Sequence, residues 1–172
     1  EEELDALRSA LRVGVQWNAE VTDSQVKHCK NLETGKWEKL STPCSPVTQV
    51  FCSALSVPFS QQELWRPLAQ LVLEAAYEAT LAVAAENFRR GGSRNVYLTQ
   101  LGGGNFHNAP EWIESSIRRA LTLYRNSGLR VIMVHFSAMG PTMKSYVRLA
   151  EEWAEAAIEV NGSSDKRQPN AS

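Results

Sequence analysis

Val96-Tyr97-Leu98-Thr99-Gln100-Leu101-Gly102-Gly103-Gly104-Asn105-Phe106-His107-Asn108, running on into Ala109-Pro110-Glu111-Trp112-Ile113, is the stretch whose reading decides the fold. It reads as a buried strand, a glycine turn and a capped helix in succession. Gly102, Gly103 and Gly104 let the backbone approach a ligand closely and take positive φ without a Cβ clash. The helix behind them offers unpaired N–H groups and the positive end of its dipole. That combination favours an anion, most often a phosphate. A tight strand-to-helix turn would use the same glycines; Phe106 beside them and Asn108 as helix cap move the reading toward a ligand loop. Three common owners of such a turn fail. A dinucleotide fingerprint would need glycine where His107 stands, no lysine follows for a P-loop, and there is no GxSxG elbow.

Working outward, residues 96–101 form one predicted strand, and a helix follows from Asn108 with Ile113, Ile117, Ala120, Leu121 and Tyr124 on one face until Gly128 ends it. Residues 130–136, with the run Val131-Ile132-Met133-Val134, have the continuous apolar character of a central parallel strand. Pro141 opens a last helix with Met143, Tyr146, Val147, Ala150, Trp153, Ala154 and Ala157 on one side. Upstream, residues 47–57 read as a strand closed by Pro58. Ser60-Gln61-Gln62-Glu63 has capping-box spacing, but Pro67 sits badly inside a helix begun there. A short turn and then a helix over residues 66–89 is expected, with Leu68, Leu71, Val72, Ala75, Ala76 and Ala79 facing the core and Gly91-Gly92-Ser93 ending it. At the start of the chain, Leu4, Leu7 and Leu11 mark a helix, and residues 12–17 a strand. Residues 24–46, broken by Gly35, Pro43 and Pro46, read as one long loop. Strands alternating with helices imply an α/β fold: a mostly parallel sheet with flanking helices, whose ligand site lies beyond the carboxyl ends of the strands. The glycine turn occupies such a position.

The 172 residues suggest one domain, and 43% hydrophobic with 22% charged residues is an ordinary globular composition. A net charge of −1 gives no sign of a general nucleic-acid or membrane-surface binder. The longest apolar run, residues 68–85, carries Glu74 and Glu78, which argues against a membrane span and places both carboxylates on a solvated face. Cys29, Cys44 and Cys52 are odd in number and lack metal-ligand spacing, so neither a disulfide framework nor a bound metal is expected, and an intracellular, cytoplasmic setting fits best. No cofactor is expected. The chain begins at Glu1 and is read as a fragment, with residues 1–46 a strand and polar loop of the same domain, 47–160 the α/β core and 161–172 a disordered tail.

The order strand, glycine turn, aromatic, proline and helix, followed by an apolar strand ending in Phe136, resembles the second ADP-ribose-binding loop of macrodomains. The resemblance covers roughly residues 47–157, and rests on pattern more than identity. It implies a three-layer α/β/α macrodomain-like arrangement and a ligand, ADP-ribose or an ADP-ribosylated protein. Under it, the N–H groups of Gly103, Gly104, Asn105 and Phe106 cradle the pyrophosphate, Phe106 packs on the ribose nearer the reactive end, and Phe136 lines the adenosine side. Gly102 and His107 complete the loop, His107 as a solvent-facing residue rather than a base, and Asn108 is its cap. The chain departs from the family upstream. The Asn-containing loop, the adenine-binding Asp and an earlier glycine loop are not recognisable, so the chain resembles the C-terminal half, with marginal stability expected.

Removing ADP-ribose needs a carboxylate, or a water held by phosphate, to deliver a nucleophile. Glu20 and Asp23, in the polar stretch after the first strand, are the catalytic candidates; a solvated turn would use the same residues. Cys52 in a strand is expected to pack rather than react. The expected function is therefore an ADP-ribose-binding module, part of a hydrolase of ADP-ribosylated proteins. The alternatives are a non-catalytic reader of ADP-ribose or a nucleotide, and a phosphate-binding α/β enzyme acting on another nucleotide or sugar phosphate.

Overall fold

The computed structural model describes residues 2–20, 28–30, 34–39, 46–134, 145, 146, 148, 149, 151 and 152. In chain order its elements are α1 (Glu2–Ala10), β1 (Gly14–Ala19), β2 (His28–Lys30), β3 (Trp37–Lys39), β4 (Val47–Phe51), α2 (Gln62–Arg89), β5 (Asn95–Leu98), α3 (Pro110–Leu123) and β6 (Arg130–Met133). The protein is mixed α/β. It divides into two compact units, Val13–Phe51 and the remainder.

The regular elements described in the Val13–Phe51 unit are strands. β1 pairs antiparallel with β4, Gly14 opposite Phe51 and Ala19 opposite Val47, with the register slipping between Gln16 and Ala19. Asn18 absorbs that slip at φ 53°, a left-handed conformation that Asn tolerates better than most residues. β2 and β3 form a second antiparallel pair, Cys29 opposite Glu38, with Gly35 at φ 68° between them. Two expectations change here. The segment read as one loop contains a hairpin, and strand pairing among the described residues is mixed rather than mostly parallel. The strand expected over residues 47–57 stops at Phe51.

The larger unit is organised by α2, β5, α3 and β6. β5 and β6 pair in parallel, Asn95 opposite Arg130 and Leu98 opposite Met133, and α3 makes the crossover between them. One face of β5 is buried through Val96 and Leu98, while Tyr97 on the other face is 58% exposed. α3 presents Trp112, Ile113, Ile117, Ala120 and Leu121 to the core, at the spacing expected from its sequence. Each such side chain, fully buried, contributes about 1.5–3 kcal/mol where it is large. The Ser116 hydroxyl, also buried, donates to the Trp112 carbonyl at 2.6 Å and so needs no water.

α2 differs from expectation in start, cap and face. A 3-10 turn, Phe59–Gln61, precedes it, and the helix begins at Gln62 with Gln61 as cap and no side-chain cap bond, so the capping box does not form. Pro67 is accommodated inside the helix. Its missing N–H takes the usual donor away from the Glu63 carbonyl, at an exposed position open to solvent. The buried face runs through Ala69, Leu73, Ala76, Tyr77 and Leu81, whereas Leu68 is 47% exposed. The face is turned by about one residue because Tyr77 is anchored inside. By length and composition the segment Phe59–Arg89 could cross a membrane; here it packs on α3 and carries Glu74 and Glu78.

Those two glutamates are paired, not simply solvated. α1 buries no residue of its own. It is tied down by Arg8, whose Nε donates to Glu74 at 2.6 Å, and by Asp5, which receives both Arg8 and Arg119 at 2.6 Å. Arg119 of α3 also donates to Glu78 at 2.6 Å. The Arg8 hydrogen bond, foremost, holds the Asp5 carboxyl below its ordinary range. Of the last predicted helix, residues 145, 146, 148, 149, 151 and 152 are helical, with Tyr146 and Leu149 buried. Arg118 of α3 pairs with Glu152 there. The Pro141 start and most of its predicted face lie outside the described residues, as does the 161–172 tail.

Candidate functional site: the glycine loop

The loop begins where β5 stops, and a tyrosine fixes that point. The Tyr77 hydroxyl donates to the Thr99 carbonyl at 2.8 Å and accepts from the Leu101 N–H at 2.9 Å. Both backbone groups have left the sheet ladder; the Leu101 N–H also donates to the Thr99 carbonyl at 3.1 Å, and the hydroxyl bridges the pair. Burial, foremost, pushes the Tyr77 hydroxyl pKa well above its ordinary value, so it stays a neutral donor and acceptor.

The turn then closes on itself. The Gly103 N–H donates to the Gln100 carbonyl at 3.3 Å, the His107 N–H to Gly104 at 3.0 Å and the Asn108 N–H to Gly102 at 3.1 Å. Gly102 is at φ 73°, and a Cβ there would lie 2.4 Å from Asn108 Nδ2 and 2.6 Å from the Ala54 Cβ. Glycine is required at this position by both conformation and space. At Gly103 a Cβ would meet Gln100 at 3.3 Å; at Gly104 it would meet nothing within 4 Å. The three glycines therefore have three different jobs, and only the first is explained by the turn alone.

A second segment straps the loop. Val57 N–H donates to the Phe106 carbonyl at 2.9 Å, and Gln62 Nε2 to the His107 carbonyl at 2.7 Å. Asn108 was expected to cap α3. Ala109 is the cap residue instead, with no side-chain cap bond, and Pro110 opens the helix. The Asn108 side chain, 4% exposed, turns inward. Its Nδ2 donates to Leu55 O at 2.8 Å, to Phe106 O at 3.2 Å and, more weakly, to Gly102 O at 3.5 Å. Three carbonyl acceptors fix which end of the amide is the donor. The tertiary bonds outcompete the local cap, so Asn108 is a cross-brace between the loop and residues 55–57.

What remains at the surface is a row of donors. Among the described residues, the N–H groups of Gly104, Asn105 and Phe106 donate no hydrogen bond. All three residues are exposed, Phe106 at 41%. Successive free N–H groups on a fixed loop make an anion-binding concavity, because each carries a partial positive charge. The α3 terminus adds less than expected: Glu111 occupies its first turn and already takes the favourable end of the dipole. His107, at φ 54°, meets the Phe59 ring edge-on with centroids 5.9 Å apart.

Glu20 is exposed at the end of β1, in the Val13–Phe51 unit. Asp23 and Phe136 lie outside the described residues. Cys52 is a free thiol 3.8 Å from the Thr80 hydroxyl. Among the described residues no group of His, Cys, Asp or Glu could hold a metal ion. Tyr77, Gln62 and Phe59 were missed from sequence. The one signal for Tyr77 was a lone aromatic interrupting the alanine run Ala75-Ala76-Tyr77-Glu78-Ala79.

Comparison with protein-family models, with curated proteins and with solved structures finds no match.

Proposed function

We propose that this chain is an ADP-ribose-binding module of the macrodomain type, with β5 and β6 belonging to the central sheet of a three-layer α/β/α arrangement. The observation that carries the reading is the row of free N–H groups at Gly104, Asn105 and Phe106. They are held beyond the carboxyl end of a parallel strand, on a loop braced by Tyr77 and Asn108. Two adjacent phosphates suit three adjacent donors better than a single carboxylate does, and the exposed Phe106 ring offers a flat surface for the sugar beside them.

Binding without chemistry is the preferred form of this reading. The loop itself, residues 102–108, carries no carboxylate. The test is calorimetric titration of the protein with ADP-ribose, AMP and ribose 5-phosphate. Micromolar ADP-ribose binding, with weaker AMP and sugar phosphate, is expected. Preference for a sugar phosphate would favour the phosphosugar-enzyme alternative, and no heat with any of the three would end the phosphate reading. Release of ADP-ribose from a modified protein, abolished by Glu20→Gln or Asp23→Asn, would convert the reader into the hydrolase.

A further inference from the structure

The opposite end of β5 has the contrary character. α2 ends at Arg89, and the chain turns through Arg90 and Arg94 into β5. α3 ends at Leu123, and the chain turns through Arg125 into β6 at Arg130. The parallel pairing sets Asn95 opposite Arg130, and the Arg130 N–H donates to the Arg94 carbonyl at 2.9 Å. The two turns also touch directly, since a Cβ on Gly128 would lie 3.3 Å from the Phe88 ring. One pole therefore gathers Arg89, Arg90, Arg94, Arg125 and Arg130, five of the 18 Lys and Arg residues of the whole chain. Glu86, in the last turn of α2, receives both Arg89 and Arg90, at 2.8 and 2.6 Å. Arg89, Arg90, Arg94 and Arg125 are exposed, and Arg130 is half-buried.

We propose that this arginine pole binds single-stranded nucleic acid. Guanidinium groups present forked donors that match phosphate oxygens, and every cation of the pole is arginine rather than lysine. Phe88 supplies the second element. It is 40% exposed at the end of α2, next to Arg89 and Arg90 in sequence, with one edge of its ring close to Gly128. An exposed aromatic ring beside cationic side chains offers a stacking surface for an unpaired base. An anionic membrane would also attract the arginines, and the test below separates the two. The net charge of −1 conceals the pole because the compensating acids lie elsewhere, such as the α1 carboxylates and Glu74 and Glu78.

The test is fluorescence anisotropy of labelled oligouridine with the full protein, across a salt series. About four neutralised phosphates give a log–log slope of about −2.8, so raising salt from about 50 to about 200 mM lowers affinity about fiftyfold. The double variant Arg89→Glu with Arg94→Glu, both exposed, is expected to lose at least about tenfold in affinity and to flatten the slope by about 1.4. Phe88→Ala is expected to lose about tenfold with the slope unchanged, because stacking releases no counterion. Circular dichroism confirms that each variant is folded, and Arg94→Gln alone serves if the double variant is not. Oligouridine affinity that is indifferent to the arginine changes overturns the proposal. So does capture by phosphatidylserine-containing vesicles without oligouridine binding.

Discussion

The two ends of β5 share one strand and the same pair of flanking helices, yet the anion sites proposed for them use different means. At the carboxyl end the donors are backbone N–H groups of Gly104, Asn105 and Phe106, fixed by Tyr77 and Asn108. At the amino end the donors are flexible arginine side chains around Phe88. The first arrangement is preorganised and nearly uncharged, so it suits a small ligand of defined shape at ordinary salt. The second is long-range and salt-sensitive, so it suits an extended polyanion. Arg94 and Thr99 bracket the strand, roughly 16 Å apart for extended chain. That is about two Debye lengths at physiological salt, so the ends act independently.

Breaking the carboxyl end has the largest expected effect. Tyr77→Ala removes a fully buried ring and is expected to cost about 3–5 kcal/mol by chemical denaturation. Tyr77→Phe keeps the ring and removes the hydroxyl bridge between the Thr99 carbonyl and the Leu101 N–H, which then bond only to each other, for about 0.5–1.5 kcal/mol. A Tyr77→Phe variant as stable as the parent would show that the hydroxyl does not hold the loop. Next comes the contrast within the glycines. Gly102→Ala meets Asn108 and Ala54 at φ 73° and is expected to cost about 1–3 kcal/mol. Gly104→Ala, with open space around its Cβ, is expected to stay within about 0.5 kcal/mol and to weaken ADP-ribose binding instead. Equal destabilisation by both would mean that the glycines serve the turn alone.

The amino end responds to charge rather than to packing. Arg89→Glu with Arg94→Glu is expected to weaken oligouridine binding at least about tenfold while sparing ADP-ribose binding, and to lower the denaturation midpoint only slightly, since the Arg89–Glu86 pair it breaks is exposed. The smallest effect is in acid. The hydrogen bonds from Arg89, foremost, and Arg90 hold the Glu86 carboxyl down at about 2. The ion pairs therefore persist above the ordinary carboxylate range and are lost as pH falls through about 2. Carboxyl carbon shifts in an NMR titration would follow this, and a Glu86 midpoint near 4 would show that the two arginines are not held there.

The sequence made the β5–α3–β6 unit legible because its signals are local and agree: an apolar strand, a glycine turn, Pro110 and a clean helical stripe through Ile113 and Ile117. Where a tertiary partner decides, local rules misled. Asn108 has the composition and position of a cap, but the Leu55 carbonyl offers a better partner. α2 has apolar residues on most of its surface, so periodicity alone could not select Leu73, Tyr77 and Leu81 over Leu68 and Val72. Glu74 and Glu78 looked solvated until Arg8 and Arg119 arrived from distant positions. The arginine pole was invisible for the same reason. Arg94 and Arg130 become neighbours only when β5 and β6 pair.

The central claim is that the free loop amides form the ADP-ribose site, and amide-resolved NMR titration with ADP-ribose tests it most directly. The account predicts saturable shifts in the micromolar range concentrated at Gly104, Asn105 and Phe106, with Arg94 and Arg130 unmoved. Saturable shifts confined to the arginine pole, or none anywhere, would contradict it.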